Sequence, residues 1–233
     1  FIKKVNHDLL FIGAQPQSVT KQYTAIFDKV YPNYDLVDFA EDEGKFQPKF
    51  WDPTFTLLSD LYDIIFLNTD QSLFTNPISG NSGILLEFAA PVLQNFTNKG
   101  GKSFITTSFP AGYDLSLIKG VLPIESMSDS RGQALISNDS FITSSISGFP
   151  DLSPKFLLLG ADPFVPSIDA ETFYTADITP VGGWTGPRTV ASVRRDGSKF
   201  KQVFFSVELY KFNTDQAKLE ELFNTILNQS FNW

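Results

Sequence analysis

The chain has 233 residues, of which 42% are hydrophobic and 19% charged, and its formal net charge is -8. This length is enough for a sizeable hydrophobic core, and the composition is that of a globular protein and not of a disordered one. The acidic balance argues against binding to a phosphate backbone or to an anionic membrane surface, so we expect no nucleic acid partner. Because no stretch approaches the roughly 20 continuous apolar residues of a transmembrane helix, we also expect no membrane insertion by this segment.

The chain contains no cysteine and a single histidine, His7. A serine nucleophile needs a neighbouring base, most often histidine, and a thiolate nucleophile needs a cysteine. His7 comes just before the first predicted strand, whereas open α/β sheets bind their ligands at the opposite, carboxyl end of the strands. The sequence therefore argues against glutaminase chemistry and against a Ser-His triad, and we name no catalytic residue and no cofactor.

The first half of the chain alternates between predicted strands and helices. Apolar runs predict four strands, over residues 8–13, 34–38, 63–68 and 102–107. Helical spacing predicts the intervening helices over residues 18–30, 53–61 and 84–96. Ser18 is the predicted N-cap of the first helix, and Lys99-Gly100-Gly101 ends the third. Strands separated by helices in this way predict a parallel sheet with helices on both faces.

An acidic loop, Glu41-Asp42-Glu43-Gly44, follows the second predicted strand. Acidic side chains can bind calcium, but this spacing does not match an EF-hand. We therefore interpret the loop as solvated and predict no metal site.

The second half changes character. Residues 120–170 are rich in Ser, Asp, Pro and Gly, with apolar islands at 134–137 and 156–159. Strands are predicted over residues 172–179, 189–195 and 200–207, and Asp196-Gly197 predicts a hairpin between the last two. A terminal helix is predicted to begin at a Thr214 cap. Because no stretch has the length of a linker, we predict one domain over residues 1–233.

The order of these pieces resembles a known fold. The run Tyr62-Asp63-Ile64-Ile65-Phe66-Leu67-Asn68-Thr69-Asp70 resembles the third strand of the class I glutamine amidotransferase-like fold. Residues 85–96, 99–102 and 103–108 look like the helix and strand that follow it, and residues 202–209 are similar to the closing strand of ThuA-like members. The resemblance implies an open, mostly parallel α/β sheet, flavodoxin-like or amidotransferase-like, with a C-terminal β-hairpin and a terminal helix.

The chain departs from that family at the residues that carry its activity. In active amidotransferases the strand matching residues 104–107 runs into a sharp turn that bears a nucleophilic cysteine. Here the turn reads Thr107-Ser108-Phe109-Pro110, so Ser108 lies at or beside the nucleophile position, and no histidine follows for the family's His-x-Glu pair. What the resemblance implies is therefore a catalytically degenerate domain that keeps a cleft above the carboxyl ends of the strands.

Five residues are candidates for ligand binding in that cleft: Asp70, Ser108, Phe109, Tyr113 and Trp184. Asp70 follows the third strand, at a position where a ligand-binding carboxylate would lie, although a hydrogen bond that closes its own loop is the more common role of such a residue. Ser108 could be a nucleophile, but a capping role for a polar residue in a turn is more common. Trp184 is in a glycine-rich loop, where an exposed ring could stack on a sugar or enter a partner's pocket, or could fold back over the core.

We expect a non-catalytic ligand- or protein-binding module, with carbohydrate as a candidate ligand, whose partner is a small molecule, a glycan or a neighbouring domain. One alternative is a glycosidase-type hydrolase that uses Asp70 with Glu87, Asp114 or Asp162, since that chemistry needs two carboxyl groups roughly 5–9.5 Å apart. A second alternative is a purely structural spacer. The start at Phe1 and the lack of cysteine suggest a fragment of a longer, exported bacterial protein at the periplasm or cell surface.

Overall fold

The computed structural model describes residues 7–39, 49–128, 134–212 and 214–231. The strands, in chain order, are β1 (Leu9–Gly13), β2 (Tyr34–Asp38), β3 (Lys49–Phe50), β4 (Ile64–Asn68), β5 (Leu73–Thr75), β6 (Ser82–Ile84), β7 (Lys102–Thr106), β8 (Ser126–Met127), β9 (Ala134–Ile136), β10 (Ile142–Ser144), β11 (Phe164–Val165), β12 (Glu171–Ala176), β13 (Ile178–Pro180), β14 (Thr189–Asp196) and β15 (Lys199–Phe205). The α-helices are α1 (Gln17–Val30), α2 (Phe55–Ser59), α3 (Leu85–Asn98) and α4 (Gln216–Asn224). Short 3-10 helices cover Leu115–Leu117 and Leu209–Phe212, and a π-helical segment, Thr225–Ser230, continues α4.

A mixed central sheet organises the molecule, with the strand order β10-β12-β14-β15-β7-β4-β1-β2. The strands from β15 to β2 pair in parallel, whereas β10, β12, β14 and β15 pair antiparallel. The strands β8 and β11 attach beside β14, and two small sheets, β3-β5-β6 and β9-β13, lie outside this path. The predicted α/β fold is confirmed, including the hairpin β14–β15 and the terminal helix.

Side chains on the parallel strands alternate between two apolar clusters. Phe11, Phe66 and Phe104 belong to the cluster that includes α1 and α4, whereas Ile12 and Leu67 belong to the one that includes α3. Each of these five side chains is at most 1% exposed. Because both faces of the sheet are covered, the strands read as continuous apolar runs instead of alternating ones, which makes them recognisable in the sequence.

The ring of Phe223 anchors the terminal helix to the sheet. Its centroid lies 4.9 Å from that of Phe104, 5.3 Å from Phe66, 5.5 Å from Phe27 and 5.9 Å from Tyr23. These rings come from β7, β4 and α1, and tilted or edge-on aromatic contacts of this kind add to the gain from burial. The phenylalanines of α1, β4, β7 and α4 that meet here are therefore part of the core.

Local details of the capping residues differ from the sequence-based predictions. Ser18 lies inside α1, whose N-cap position is Pro16, and the side chain of Asp215, not Thr214, caps α4 by accepting a hydrogen bond from the Ala217 amide. Ser82 lies in β6. Helix ends are specified to within one or two residues by a local pattern, so the pattern could not separate a cap from its neighbours.

The strand predicted over residues 172–179 is two strands. β12 pairs with β14 in the central sheet, whereas β13 pairs with β9 in a small sheet. The chain changes partners at Asp177, whose amide donates to the Phe141 carbonyl. Across the described ranges, no helix combines the length and the hydropathy that crossing a bilayer requires.

Candidate functional site

The carboxyl ends of β1, β4, β7 and β15 meet at one edge of the sheet because these strands run parallel. Four polar side chains follow them closely: Gln15, Asp70, Ser108 and Glu208. In open α/β sheets this edge is where ligands bind. The same edge is therefore the first place to look for a site.

A buried hydrogen-bonded chain joins the ends of β1 and β15. The Nε2 of Gln15 donates to Oε1 of Glu208 at 2.8 Å and to the Thr69 carbonyl at 3.3 Å. The other carboxylate oxygen of Glu208 forms an ion pair with Nζ of Lys211. Gln15 is 1% exposed and Glu208 is 6% exposed. A carboxylate so far from solvent needs such partners to remain charged.

Two further carboxylates act on the ammonium of Lys211. Burial lowers the pKa of Lys211, while the negative charges of Asp70 and Asp162 act to raise it. Burial and the charge of Asp70 also raise the pKa of the neighbouring Tyr210. The ammonium of Lys211 is therefore paired with Glu208 and also feels the negative charges of Asp70 and Asp162.

Asp162 fixes the turn that follows β7. Its Oδ2 accepts a 2.9 Å hydrogen bond from the amide of Phe109, and the side chain is buried. This contact holds Ser108, which is half-buried, at the carboxyl edge. Asp162 comes from a loop 53 residues further along the chain.

A cavity of about 240 Å³ opens beside these groups, and we call it the carboxyl-edge cleft. Its polar wall is formed by Asp162, Ser206, Glu208 and Lys211. Its apolar wall is the segment 156–161, in which Phe156 is 48% exposed and Leu159 is 76% exposed. A concave site with an apolar wall and a few convergent polar groups is typical of a small-molecule site.

Sequence reasoning missed Glu208, Lys211 and Phe156. Glu208 follows a predicted strand just as Asp70 does, so the same rule could have found it if the parallel pairing of β15 with β7 had been known. The sequence marks the segment containing Phe156 only as an apolar island. Nothing local in the sequence points to Lys211.

Asp70 closes its own loop, as the alternative interpretation predicted, because its Oδ1 accepts a 2.8 Å hydrogen bond from the Ser72 amide. Phe109 and Trp184 are both buried, with exposed fractions of 4% and 5%. Phe109 stacks on Tyr113, with centroids 5.1 Å apart. Trp184 folds back over the core, the second of the two arrangements considered for it. Its ring is buried, and its Nε1 donates a 2.9 Å hydrogen bond to Oγ of Ser128.

Tyr113 and Ser128 border a second cavity of about 480 Å³, lined by residues 112–116, 119 and 125–128. Of the candidate residues, only Tyr113 lines this cavity; Phe109 and Trp184 contact its lining through Tyr113 and Ser128. Asp70 instead acts by its charge on Lys211. The candidate residues therefore divide between two places.

The four carboxylates of the hydrolase hypothesis divide in the same way. Asp70 and Asp162 both act on Lys211. Glu87 and Asp114 both act on Tyr113, whose pKa is raised by burial first and then by these charges. Of the four, Asp162 lines the carboxyl-edge cleft and Asp114 lines the second cavity.

His7 lies at the opposite edge of the sheet, before β1, where its Nδ1 is 2.8 Å from Oδ1 of Asp35. Its predicted position, partly exposed at the amino end of the strand, is confirmed. Glu41, Asp42 and Glu43 lie outside the described residues. Within the part of the chain that the structure describes, no group of three His, Asp or Glu side chains is arranged to hold a metal ion.

Comparison with known proteins supports the fold of the chain but identifies no relative by sequence. No family model matches the chain, and no curated protein matches it by sequence. The PurLQS structure from Thermotoga maritima contains a chain that is similar in structure, with a TM-score of 0.54 and 10% identity over 96% of this chain and 99% of that one. A protein assigned as a GMP synthase component from Thermoplasma acidophilum gives a TM-score of 0.47 and 8% identity over 95% and 94%. The first likeness supports the amidotransferase-like fold predicted from the sequence.

Proposed function

We propose that this chain is a non-catalytic binding domain, a degenerate and ThuA-like variant of the amidotransferase-like fold, which holds a carbohydrate in the carboxyl-edge cleft. One observation carries the proposal: the cleft places the carboxylates of Asp162 and Glu208 in one cavity with the half-exposed ring of Phe156. Carboxylates accept hydrogen bonds from sugar hydroxyls, and the C–H face of a sugar packs on an aromatic ring.

The lack of a nucleophile with its base supports a binding role over acyl transfer. The chain has no cysteine, and its one histidine is bonded to Asp35 at the other edge of the sheet. The proposal that the domain belongs to an exported protein stays a prediction.

A matched pair of variants tests the proposal. Glycan-array screening of the purified domain would identify a sugar, and isothermal titration calorimetry would then compare Phe156→Ala with Phe141→Ala. Both phenylalanines are 48% exposed, but Phe141 does not line the cleft. We expect Phe156→Ala to weaken binding at least tenfold and Phe141→Ala to change it less than twofold. No sugar bound by the wild type, or equal losses in both variants, would refute the proposal.

The carboxylate-dependent hydrolase stays the alternative because the charges of Asp70 and Asp162 both act on Lys211. Turnover of a chromogenic glycoside that is abolished in Asp162→Asn would favour it. Binding without turnover would favour the non-catalytic domain.

A further inference from the structure

A polar cavity of about 150 Å³ lies at the amino end of β7, and we call it the amino-edge pocket. Gln202, one of its lining residues, pairs in register with Ser103, the second residue of β7. The walls come from the last turns of α3, from the loop at residues 120–121, from the strands β14 and β15 and from Asp169. The amino-edge pocket and the carboxyl-edge cleft share no lining residue, so the two cavities are separate.

Arg194 lines the amino-edge pocket but is occupied by the protein itself. Its Nη1 donates to the Val121 carbonyl at 2.7 Å and to Oε1 of Gln202 at 2.9 Å, and its Nη2 donates to the Leu122 carbonyl at 3.1 Å. Its Nε lies 2.8 Å from Oδ2 of Asp169, and the two side chains form an ion pair. Among the described residues, Asp169 is the one acidic side chain of the lining. The charges of Arg194 and Asp169 therefore balance each other.

The charge of Lys201 has no such counterpart. Lys201 lines the pocket and is partly buried, and no ion pair joins it to another residue in the ranges that the structure describes. Because Arg194 and Asp169 cancel, the lining carries one positive charge in excess. A partly enclosed charge attracts an ion of opposite sign more strongly than a charge in open solvent does. The pocket therefore favours an anion.

Hydrogen-bond donors without an acceptor lie in the same place. Gln202 is 2% exposed, and its Nε2 has no hydrogen-bond partner within the described part of the chain. Arg194 fixes the orientation of this amide, because a guanidinium only donates and so must face the carbonyl oxygen. Oγ of Ser103, in register with Gln202, is buried in the same condition, and a hydroxyl can donate. Since a buried donor without an acceptor costs about 1–3 kcal/mol, an acceptor is stabilised here.

We propose that the amino-edge pocket binds the carboxylate group of a small organic acid. A carboxylate only accepts hydrogen bonds, and its single negative charge equals the excess positive charge of the lining. Its oxygens accept from the ammonium of Lys201 and from the amide of Gln202, and bonds to a charged group are the stronger class. A phosphate group carries about two negative charges at pH 7 and exceeds the charge that the pocket balances. This site is independent of the proposed carbohydrate site.

Acetate and acetamide are matched probes, because they have nearly the same shape and differ in charge. The full chain would be titrated with each at constant ionic strength, and proton–nitrogen correlation NMR would follow the amide signals of β15 and of the Gln202 side chain. We expect acetate to shift these signals saturably and to bind at least tenfold more tightly than acetamide. No saturable shift with acetate, equal binding of the two probes, or tighter binding of inorganic phosphate than of acetate would overturn the proposal.

Two lysines of β15 offer a charge-removing variant and its control. Lys201→Gln removes the excess charge, whereas Lys199 comes from the same strand and does not line the pocket. We expect Lys201→Gln to weaken acetate binding about fivefold and Lys199→Gln to change it less than twofold. Gln202→Glu keeps an acceptor for Arg194 and replaces the donor, so it should abolish acetate binding in a folded chain. If that variant does not fold, the lysine pair decides, and unchanged affinity in Lys201→Gln refutes the carboxylate site.

Discussion

Gln15 and Glu208 lie 193 positions apart in the chain, and a 2.8 Å hydrogen bond joins their side chains at the carboxyl edge of the sheet. With Lys211, which is partly exposed, they form one polar unit that spans the ends of β1 and β15. The bond therefore ties the first strand to the last, and the polar wall of the cleft depends on it.

Removing the charge of Glu208 should destabilise the fold. Glu208→Gln leaves the ammonium of Lys211, whose side chain is only 27% exposed, without its paired charge. We expect a loss of about 2 kcal/mol in the free energy of unfolding, measured by urea denaturation. Glu125→Gln is the control, since Glu125 pairs with Lys119 where both side chains are about half exposed, and it should cost less than about 0.5 kcal/mol. Equal losses would mean that the Glu208 pair behaves as a surface pair.

Trp184 should matter for stability and not for ligand binding. Trp184→Phe removes the hydrogen bond to Ser128 and leaves unfilled volume in the core, so we expect a cost of about 2 kcal/mol in urea denaturation. Affinity for the sugar should change less than twofold, because Trp184 does not line the carboxyl-edge cleft. A large loss of affinity with unchanged stability would show instead that Trp184 contributes to ligand binding.

Alanine at Gly101 should clash with one ring. A Cβ at this position would lie 2.4 Å from an atom of the Phe96 ring, so Gly101→Ala should cost about 1–3 kcal/mol. Phe96→Leu should relieve part of that cost in the double variant. At Gly100, with φ +96 and nothing within 4 Å, the cost of alanine is backbone strain, and Phe96→Leu should give no relief. Double-mutant cycles with Phe96→Leu, measured by urea denaturation, distinguish the ring clash at Gly101 from the backbone strain at Gly100. Equal coupling energies at the two glycines would contradict this explanation.

The cap of α4 can be assigned by a pair of alanine variants. Asp215→Ala removes the acceptor for the Ala217 amide and should cost about 1 kcal/mol. Thr214→Ala should cost a few tenths at most, because the cap bond comes from its neighbour. Thermal denaturation of both variants would measure the difference, and a larger loss in Thr214→Ala would restore the assignment predicted from the sequence.

The hydrogen bond from Tyr62 to Asp35 should weaken at alkaline pH. Burial, and then the bond to Asp35, raise the pKa of Tyr62 from 10.0 to about 12. The neutral phenol is therefore favoured in the folded state, and its contribution is complete below pH 10 and lost as the pH rises towards about 12. We expect Tyr62→Phe to lower the free energy of unfolding by about 1 kcal/mol at pH 7. The difference from wild type should become smaller as the pH rises from 10 to about 12. A gap that stays constant in urea denaturation up to pH 12 would contradict this account.

The strands and helices of the parallel half could be predicted because each is specified locally. A run such as residues 63–68 is apolar nearly throughout since both of its faces are covered, and helical spacing marks α1 and α3. The carboxyl edge followed from the same pattern.

The cleft itself could not be predicted, because its residues are brought together by pairings between distant segments. Asp162 reaches the turn at Phe109 from a loop with no regular pattern, and Lys211 reaches the edge only because β15 pairs with β7. The burial of Trp184 depends on Ser128, 56 residues away. None of these contacts leaves a local signal in the sequence.

The position of Phe223 has a consequence for synthesis on the ribosome. Its ring covers Phe66 and Phe104, which leave the ribosome more than a hundred residues earlier. Until α4 emerges, a nascent chain carries these aromatic faces without their cover, so its early strands are prone to aggregate and are natural clients for a chaperone. The cover that α4 gives these two rings is thus completed only late in synthesis.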